Sequence, residues 1–380
     1  MPIEPRKDTT PVGDPLLRAS LGDLEAIRLI LRGSSVIDWH RLAFADHAEI
    51  DRFLRLNEFH LEAPSDKARL EDLREQAVEY LVRNFGYRIP AAVAQDLPVQ
   101  DLFLLASSRG REQTYACIVL KAMHVIHHLA GREMLFSLPV SDVELFGLVE
   151  KKVVALVEEL RAAGHPIVEF AWSRKERDSI VTKLLAKKTN IAANVFDKLR
   201  FRMVVRSRSD LVSLIYELVH KLIPFNYVVP GESVNGIVPF RKLVEDTPAF
   251  ARQADRLQLD LDTEEVERSP ENEFSGPSYR IINFVADLPI RVDPILERYP
   301  HLNIDLGPVS FVMTEFQITD AVTARDNEAG ENSHARYKQR QHERVKQRLE
   351  RGAESATSGL VPGLPAIDDG VDDPDEDDEG

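Results

Sequence analysis

The chain has 380 residues, 43% of them hydrophobic, and its 63 acidic residues outnumber 48 basic ones, for a formal net charge of −15. This composition excludes a wholly disordered chain, and the length predicts about two domains, or one large domain with an appendage. The single cysteine, Cys117, excludes an internal disulfide framework and a cysteine-rich zinc site. Because the N-terminus has no apolar signal core and no uncharged apolar run could span a bilayer, we predict a soluble, cytoplasmic protein without a membrane partner.

The negative charge is concentrated at the C-terminus. Nine carboxylates and no basic residue lie between Asp368 and Glu379, which leaves −6 of the total charge of −15 on the rest of the chain. A broad basic face for nucleic acid is not evident, but basic residues cluster over 174–183 and 336–348. These two clusters, rather than the net charge, indicate where a phosphate-bearing partner would bind.

In chain order, a polar leader over residues 1–18, which we predict to be disordered, precedes a helical segment. Apolar residues recur at three- and four-residue spacing over 70–81 and again over 145–160. This periodicity predicts two helices with one apolar face each, and a glycine and a proline then form a stop signal. We therefore predict a helical domain over 19–165.

After Pro166 the pattern changes to strands interspersed with helices. Strands are predicted over 201–205, 279–285 and 310–318, and helices over 210–222 and 333–351. This order is typical of a mixed α/β (α+β) domain, which we place at 166–350.

Two further segments of this half differ in composition from the rest. An insertion over 231–274 is rich in carboxylates and contains one strand-like piece, 257–262. Residues 351–380 are predicted to be a disordered acidic tail.

The first candidate site is a basic cluster formed by Arg174, Lys175, Ser179 and Lys183. If the segment is a helix, Lys175, Ser179 and Lys183 form one stripe, since they are four residues apart. Two cations and a hydroxyl on one stripe suit a polyphosphate, because each phosphate oxygen accepts hydrogen bonds from charged donors. A solvated helix face is the alternative interpretation.

The second candidate site consists of carboxylates near the predicted strands. Asp197 lies just before the first strand, which contains Arg202, and strand alternation places Glu315 and Gln317 on one face of another strand. Two carboxylates brought together from separate strands would bind Mg²⁺, which takes one or two carboxylates plus substrate phosphates. The alternative is an ordinary ion pair, such as one between Glu315 and Arg202.

Three histidines, His124, His127 and His128, lie in an apolar helical stretch together with Cys117. The spacing of His124 and His128 is compatible with a metal pair, but no glutamate lies between them as in the zinc protease motif. We interpret them as core or helix-surface residues and Cys117 as an inert core thiol. Neither a Gly-x-Gly-x-x-Gly fingerprint nor a Walker A loop is present in the chain.

A series of short segments occurs in a fixed order between about residues 170 and 340. They are Arg174-Lys175 with Ser179-Ile180 and Lys183; Asp197 with Arg202; Asn226-Tyr227-Val228-Val229-Pro230; Ser275-Gly276 with Tyr279-Arg280 and Asn283; Glu315-Phe316-Gln317; and Asn327-Glu328 with His334, Tyr337 and Lys338. In this order they resemble the synthetase domain of the RelA/SpoT family of alarmone synthetases, over about half of the chain.

The resemblance implies a nucleotidyltransferase-like mixed sheet that transfers pyrophosphate from ATP to the 3′-hydroxyl of a guanine nucleotide, as in the stringent response. It implies that Asp197 and Glu315 hold Mg²⁺ and that Glu315 also takes the proton of the attacking hydroxyl. The residues implied on the ATP side are Arg174, Lys175, Ser179, Lys183 and Arg202. The residues implied on the acceptor side are Tyr279, stacked on the base, with Asn283, Gln317 and His334.

The departures from the family pattern fall mostly on the acceptor side. Gly231-Glu232 follows Pro230 where the family has lysine, Asn283 stands in place of histidine, and Thr319 in place of arginine. Guanosine tetraphosphate synthesis is therefore the default hypothesis, and modification of a tRNA 3′ end is the variant that a changed acceptor loop permits. The family's His-Asp hydrolase domain has no counterpart in the helical half.

Two other hypotheses remain open from the sequence. The chain could be a catalytically inactive nucleotide- or RNA-binding regulatory protein on the same fold. In that case the basic stretch over 336–348 would touch RNA phosphates, although a solvated charged helix explains the same stretch. An oligomer is compatible with every one of these hypotheses.

Overall fold

The computed structural model describes residues 19–33, 42–186, 198–240, 278–302, 305–329 and 334–357, and within these it leaves out the side chains of 21, 334–335 and 351–357. Several predicted features lie outside the described residues. They are the leader over 1–18, Asp197, the strand-like piece 257–262, most of the insertion, and the tail beyond 357.

The described residues before the first strand are mostly helical. The helices are α1 (Leu21–Arg32), α2 (His47–Leu56), α3 (Pro64–Phe85), α4 (Val99–Ser107), α5 (Arg111–Ser137) and α6 (Asp142–Ala162), with a π-helical turn at Ala92–Asp96. The helices predicted over 70–81 and 145–160 lie inside α3 and α6 and are confirmed. Local capping defines the starts of two others, since Ser20 forms a capping box with Asp23 and the Asp46 carboxylate accepts a hydrogen bond from the Glu49 amide.

The second half is a mixed α/β structure, as the sequence predicts. Its elements are β1 (Ile167–Arg174), α7 (Arg177–Ala186), β2 (Leu199–Val205), α8 (Asp210–Lys221), a 3₁₀ turn (Phe225–Tyr227), β3 (Val234–Asn235), β4 (Ile282–Arg291), α9 (Asp293–Leu296), β5 (Val309–Asp320), α10 (Ala321–Glu328) and α11 (His334–Thr357). Among these described helices and those of the first half, none is both long and apolar enough to cross a membrane.

The strands form one five-stranded sheet in the order β1-β2-β5-β4-β3. β2 pairs with β5 in parallel, and the other neighbouring pairs are antiparallel. The strands predicted over 201–205 and 310–318 lie inside β2 and β5. This arrangement puts β5 at the centre of the sheet, between β2 and β4.

Several predicted boundaries are wrong, and the strand predicted to end at 285 continues to Arg291. The strand predicted over 279–285 begins only at Ile282, because the backbone of Arg280 hydrogen-bonds to the Asn327 side chain instead of to a strand. The last helix continues to Thr357, beyond its predicted end at 351, so the first residues of the predicted tail are helical.

One face of the sheet carries a row of aromatic rings. Phe170, Phe201, Phe316 and Phe284 come from four adjacent strands, and their neighbouring ring centroids are 6.2, 5.8 and 5.3 Å apart with nearly parallel planes. The rings of Phe201, Phe284 and Phe316 are fully buried. Burial of apolar area on this scale is the main stabilisation of such a layer.

The predicted helical half contributes to two separate cores. Apolar residues of α1, α6 and α8 pack in the same core as this aromatic row, whereas α2, α3, α4 and the first part of α5 form a second core. α5 spans both, since Met123 belongs to the second core and Met134 to the first. The helices therefore do not all pack as one unit beside the sheet.

α5 approaches the sheet closely at Gly131. Here the Ser310 hydroxyl donates to the Gly131 carbonyl oxygen at 3.2 Å, and a Cβ atom on Gly131 would overlap the buried ring of Phe311. Glycine thus allows α5 to lie directly on β5.

We expect Gly131→Ala to destabilise the protein by about 1–3 kcal/mol, because overpacking against a buried ring outweighs the gain in helix propensity. Gly147→Ala in α6 is the matched control, since its Cβ would meet only Arg174 Nη2, at 4.0 Å. That control should be neutral or stabilise by up to about 1 kcal/mol. Urea unfolding measures the free energy of unfolding of both variants. Equal changes in the two variants would contradict a tight contact between α5 and β5 at Gly131.

Buried histidines lie at the same interface. Burial, with a smaller contribution from neighbouring positive charges, lowers the pKa of both His124 and His127 to about 3. The Asn226 amide donates to His124 Nδ1 at 3.2 Å, which requires an unprotonated nitrogen there. His128, in contrast, contacts the buried carboxylate of Asp287, with Nε2–Oδ2 at 2.8 Å. The first two imidazoles are therefore neutral in the folded protein.

A neutral buried histidine makes stability depend on pH. Below about pH 6.5 the unfolded chain binds protons that folded His124 and His127 exclude, so stability falls by about 1.4 kcal/mol per pH unit for each. Urea unfolding of His127→Phe between pH 7.5 and 5 should show a shallower loss than the wild type. The exposed His301→Phe is the control and should match the wild type, and an unchanged slope in His127→Phe would contradict the prediction.

Candidate functional site

The face of the sheet opposite the aromatic row is polar around the β2–β5 pair. In the parallel register Arg200 lies beside Glu315 and Arg202 beside Gln317, and Asn283 of β4 lies on the other side of Gln317. Since side chains alternate between the faces of a strand, these five residues share one face. The strand order thus brings together Arg202, Asn283, Glu315 and Gln317, all of which were predicted to be site residues.

Glu315 is held at the centre of this polar face by two donors. Its side chain is 8% exposed, Arg200 Nε donates to Oε2 at 2.7 Å, and Gln317 Nε2 donates to Oε1 at 3.1 Å. A buried carboxylate needs such partners, because its desolvation is otherwise costly. The ion pair suggested from the sequence, with Arg202, is wrong, since Arg202 donates instead to Glu328 at 3.0 Å.

Tyr279 lies ahead of β4, within range of the charges on this face. Burial raises the pKa of Tyr279, the charges of Arg200 and Arg202 lower it, and Glu315 and Tyr337 raise it, so these groups are near enough to act on the phenol. Tyr337 comes from α11, which therefore reaches this side of the sheet. An aromatic ring next to two guanidinium groups and a carboxylate can contact both the base and the phosphates of a nucleotide.

Asn327 fixes the segment that carries Tyr279. Its Oδ1 accepts from the Arg280 amide at 3.1 Å, and its Nδ2 donates to the Arg280 carbonyl oxygen at 2.6 Å. Asn327 is 9% exposed and lies in α10. Neither Asn327 nor Arg200 was predicted to be a site residue. Strand alternation along β2 places Arg200 on the same face as Arg202, so the sequence could have identified Arg200 as a site residue. Nothing in the sequence around Asn327 indicates its contact with Arg280.

Arg174 does not belong to a basic helix, contrary to the prediction. It is the last residue of β1, and its Nε and Nη2 atoms donate to the two carboxylate oxygens of Glu150 in α6, each at 2.7 Å. Because Arg174 pairs with Leu199, and Ser173 with Arg200, strand alternation places Arg174 on the face opposite Glu315. Its partner is therefore in the helical layer.

The rest of the basic cluster is only partly helical. α7 begins at Arg177, so Lys175 precedes it, and its amide donates to the Lys198 carbonyl oxygen at 2.8 Å. Ser179 and Lys183 stay one turn apart in α7, half-buried. α11 packs against α7, and Arg348 donates to the carbonyl oxygen of Leu185 near the end of α7.

Asn283 has an unsatisfied acceptor. Its Oδ1 atom is buried and has no hydrogen-bond partner within the described part of the chain. A buried polar atom of this kind in a polar face is suited to accept a hydrogen bond from a bound molecule. His334, which is also predicted on the acceptor side, opens α11, and its side chain lies outside the described residues.

The predicted magnesium pair is described only in part, because Asp197 lies outside the described residues. Among the described residues, no group of three His, Cys, Asp or Glu side chains could hold a metal. Glu315 remains suitable as one ligand, since each carboxylate oxygen accepts one hydrogen bond and has a second lone pair. Mg²⁺ takes one or two such carboxylates in sites of this type.

No family model matches the chain, and no curated protein matches it. The chain is similar to the solved structure of small alarmone synthetase 1 from Bacillus subtilis, with 12% identity over 56% of this chain and 90% of that one and a TM-score of 0.28. Small alarmone synthetase 2 from the same organism is 15% identical over 60% of this chain and 94% of that one, with a TM-score of 0.27. A GTP pyrophosphokinase family protein from Streptococcus pneumoniae is 12% identical over 57% of this chain and 87% of that one, with a TM-score of 0.26. All three are of the kind of protein that this chain resembles in the order of its sequence motifs. With TM-scores this low, nothing about the activity of this chain follows from them.

We expect Arg200→Met to destabilise the protein by about 1–3 kcal/mol, because it leaves a buried oxygen of Glu315 without its charged donor. Arg202→Met is the matched control on the same strand face, and its partner Glu328 is 66% exposed. An exposed pair of this kind contributes less than about 1 kcal/mol. Urea unfolding at pH 7 compares the two variants, and a larger effect at Arg202 would contradict the described pairing.

Proposed function

We propose that this chain is an ATP- and Mg²⁺-dependent pyrophosphokinase of RelA/SpoT type that acts on the 3′-hydroxyl of a guanine nucleotide or a related nucleotide or tRNA acceptor. The observation that carries the proposal is the polar sheet face, where Glu315 accepts hydrogen bonds from Arg200 and Gln317, with Tyr279 within range of their charges. A carboxylate, guanidinium groups and an aromatic ring converge there from separate parts of the chain. The order of the family-like motifs supports the same activity.

In the proposed transfer, one bond to phosphorus forms and one breaks. The acceptor 3′-oxygen forms a bond to the β-phosphorus of ATP, the bond from that phosphorus to the oxygen bridging the α- and β-phosphates breaks, and AMP leaves. Glu315 is proposed to take the proton of the acceptor hydroxyl, because a carboxylate is the proton acceptor nearest the centre of this face. Mg²⁺, if held by Glu315 and Asp197, would neutralise phosphate charge.

The phosphates of ATP are proposed to bind between β2 and α7. Arg200 and Arg202 extend from β2, and Ser179 and Lys183 from α7. Cationic and hydroxyl donors therefore come from a strand that pairs with β1 and from the helix that follows β1. Such donors stabilise charge that moves towards the leaving group in a phosphoryl-transfer reaction. Arg174 is left out of this set because of its contact with Glu150 on the opposite side of the sheet.

The acceptor is proposed to bind at Tyr279, with its base on the ring and a donor group at the unsatisfied Oδ1 of Asn283. A tRNA acceptor is the second candidate, and the observation that favours it is the charged surface of α11. The basic residues of this helix that are exposed are Arg336, Lys338, His342 and Lys346. Phosphates of a longer acceptor could contact them while its terminal nucleotide lies near Tyr279.

The test uses the purified full chain with ATP labelled in the γ-phosphate and, separately, GDP, GTP or tRNA. Label should appear on at least one acceptor, and Glu315→Gln should reduce the transfer rate by about 10²-fold or more, since it removes the proton acceptor but keeps the shape. Glu144→Gln in α6 is the matched control and should retain the wild-type rate.

Two outcomes would contradict the proposal. If the wild type binds ATP but transfers label to no acceptor, the chain is an inactive nucleotide- or RNA-binding protein on this fold. If Glu315→Gln transfers at the wild-type rate, Glu315 does not take the proton. A far-UV circular dichroism melt of each variant separates loss of activity from loss of folding. Strong salt dependence of tRNA labelling, but not of GTP labelling, would identify a role for α11.

A further inference from the structure

A cavity of about 100 Å³, partly open to solvent, lies in the helical half. It is bounded by α2, α3, α4 and α5 and closed on one side by the turn Phe225–Tyr227, which precedes β3. Most of its wall is apolar. The apolar side chains that form this wall are chiefly Phe53, Leu70, Leu73, Phe103, Leu120 and Met123.

The cavity wall also contains polar atoms that the protein does not satisfy. His127 is 5% exposed, and neither of its ring nitrogens has a hydrogen-bond partner in the described residues. The Oδ1 atom of Asn226 is likewise buried without a partner, although its Nδ2 donates to Asn57 at 2.9 Å. Leaving a buried donor or acceptor unpaired costs about 1–3 kcal/mol, so such groups in a native structure usually face a water or a ligand.

His127 is a neutral imidazole, since burial lowers its pKa to about 3. A neutral imidazole presents one N–H donor and one nitrogen acceptor, and here both remain available. Its ring is held between Phe59, at 4.8 Å between centroids, and Phe311, at 5.6 Å. The orientation of His127 is therefore fixed by packing and not by hydrogen bonds.

We propose that this cavity is a binding site for a small, neutral, mostly apolar molecule that carries a single hydroxyl or N–H group. The wall also contains Lys121, but its chiefly apolar surface favours an apolar ligand, because desolvation of a strongly hydrated one is costly. An apolar cavity of about 150 Å³ accepts benzene, and this one is of the same order. The ligand's polar group would hydrogen-bond to His127 or Asn226, which is the usual form of a small-molecule site: an apolar pocket with a few polar groups.

The position of the cavity connects it to the sheet. Directly after the turn that closes it, Val228 forms a β-bridge to Ala286, and the Val229 amide donates to the Val285 carbonyl oxygen at 2.8 Å. Val285 lies beside Glu315 in the sheet. A ligand that contacts Asn226 would therefore touch a segment leading to the strand next to Glu315. The binding site itself does not depend on the proposed enzyme activity.

The experiment titrates the purified full chain with phenol and, as the matched compound without a hydroxyl, with benzene, using isothermal titration calorimetry. We expect one phenol site per chain and an affinity at least about tenfold higher than that for benzene. In His127→Phe the ring and its packing are kept while both nitrogens are removed, so phenol should bind no better than benzene. The exposed His301→Phe is the control and should keep the wild-type preference.

A second measurement needs no variant. Cys117 is the sole cysteine of the chain and lines the cavity, so bound phenol should slow its alkylation by N-ethylmaleimide severalfold. The proposal is overturned if phenol neither binds nor slows this alkylation, which would mean that the cavity holds only water. It is also overturned if phenol and benzene bind equally well, or if folded His127→Phe keeps the preference for phenol.

Discussion

The parallel pairing of β2 with β5 is the constraint on which the rest of the structure depends. It places Arg200 beside Glu315 and, one residue on, Phe201 beside Phe316. Because strand side chains alternate, this one register produces both the polar face of the candidate site and the aromatic row of the core. A shift by one residue would turn the phenylalanines towards the site and bury the charges. Core packing and site geometry are therefore fixed together.

The two faces are covered in different ways. The aromatic face packs against α1, α6 and α8, where apolar burial supplies stability without any directional bonds. The polar face is organised by specific hydrogen bonds, from Arg200 to Glu315 and from Asn327 to the backbone of Arg280. The helices α10 and α11 supply Asn327 and Tyr337 to that face, so the C-terminal helices help to complete the site. Buried polar atoms of Asn283 and His127 have no hydrogen-bond partner among the described residues, so these two positions are suited to a bound molecule.

Local patterns predicted the helices α3 and α6 and the central strands, because hydrophobic periodicity and β-propensity act over a few residues. They also predicted that Glu315 and Gln317 share a face. The errors fall at element ends: Arg174 belongs to a strand and Lys175 precedes α7, although the sequence pattern there suggested one continuous helix. Such ends are decided by contacts made elsewhere, such as that of Arg174 with Glu150. The implied roles of Asp197 and His334 stay predictions, as their side chains lie outside the described residues.

The sequence by itself determined the class of fold, the apolar faces and the residue types from which a phosphate-binding site could be made, since these follow from composition and short-range spacing. Only the tertiary structure decided which residues meet. Arg200 and Glu315 are far apart along the chain, and it is the register of two strands that makes Arg200, and not Arg202, the partner. The cavity beside His127 likewise exists only because α5 and the turn at Asn226 pack together. Long-range pairing of this kind depends on the whole core, so no local pattern could predict it.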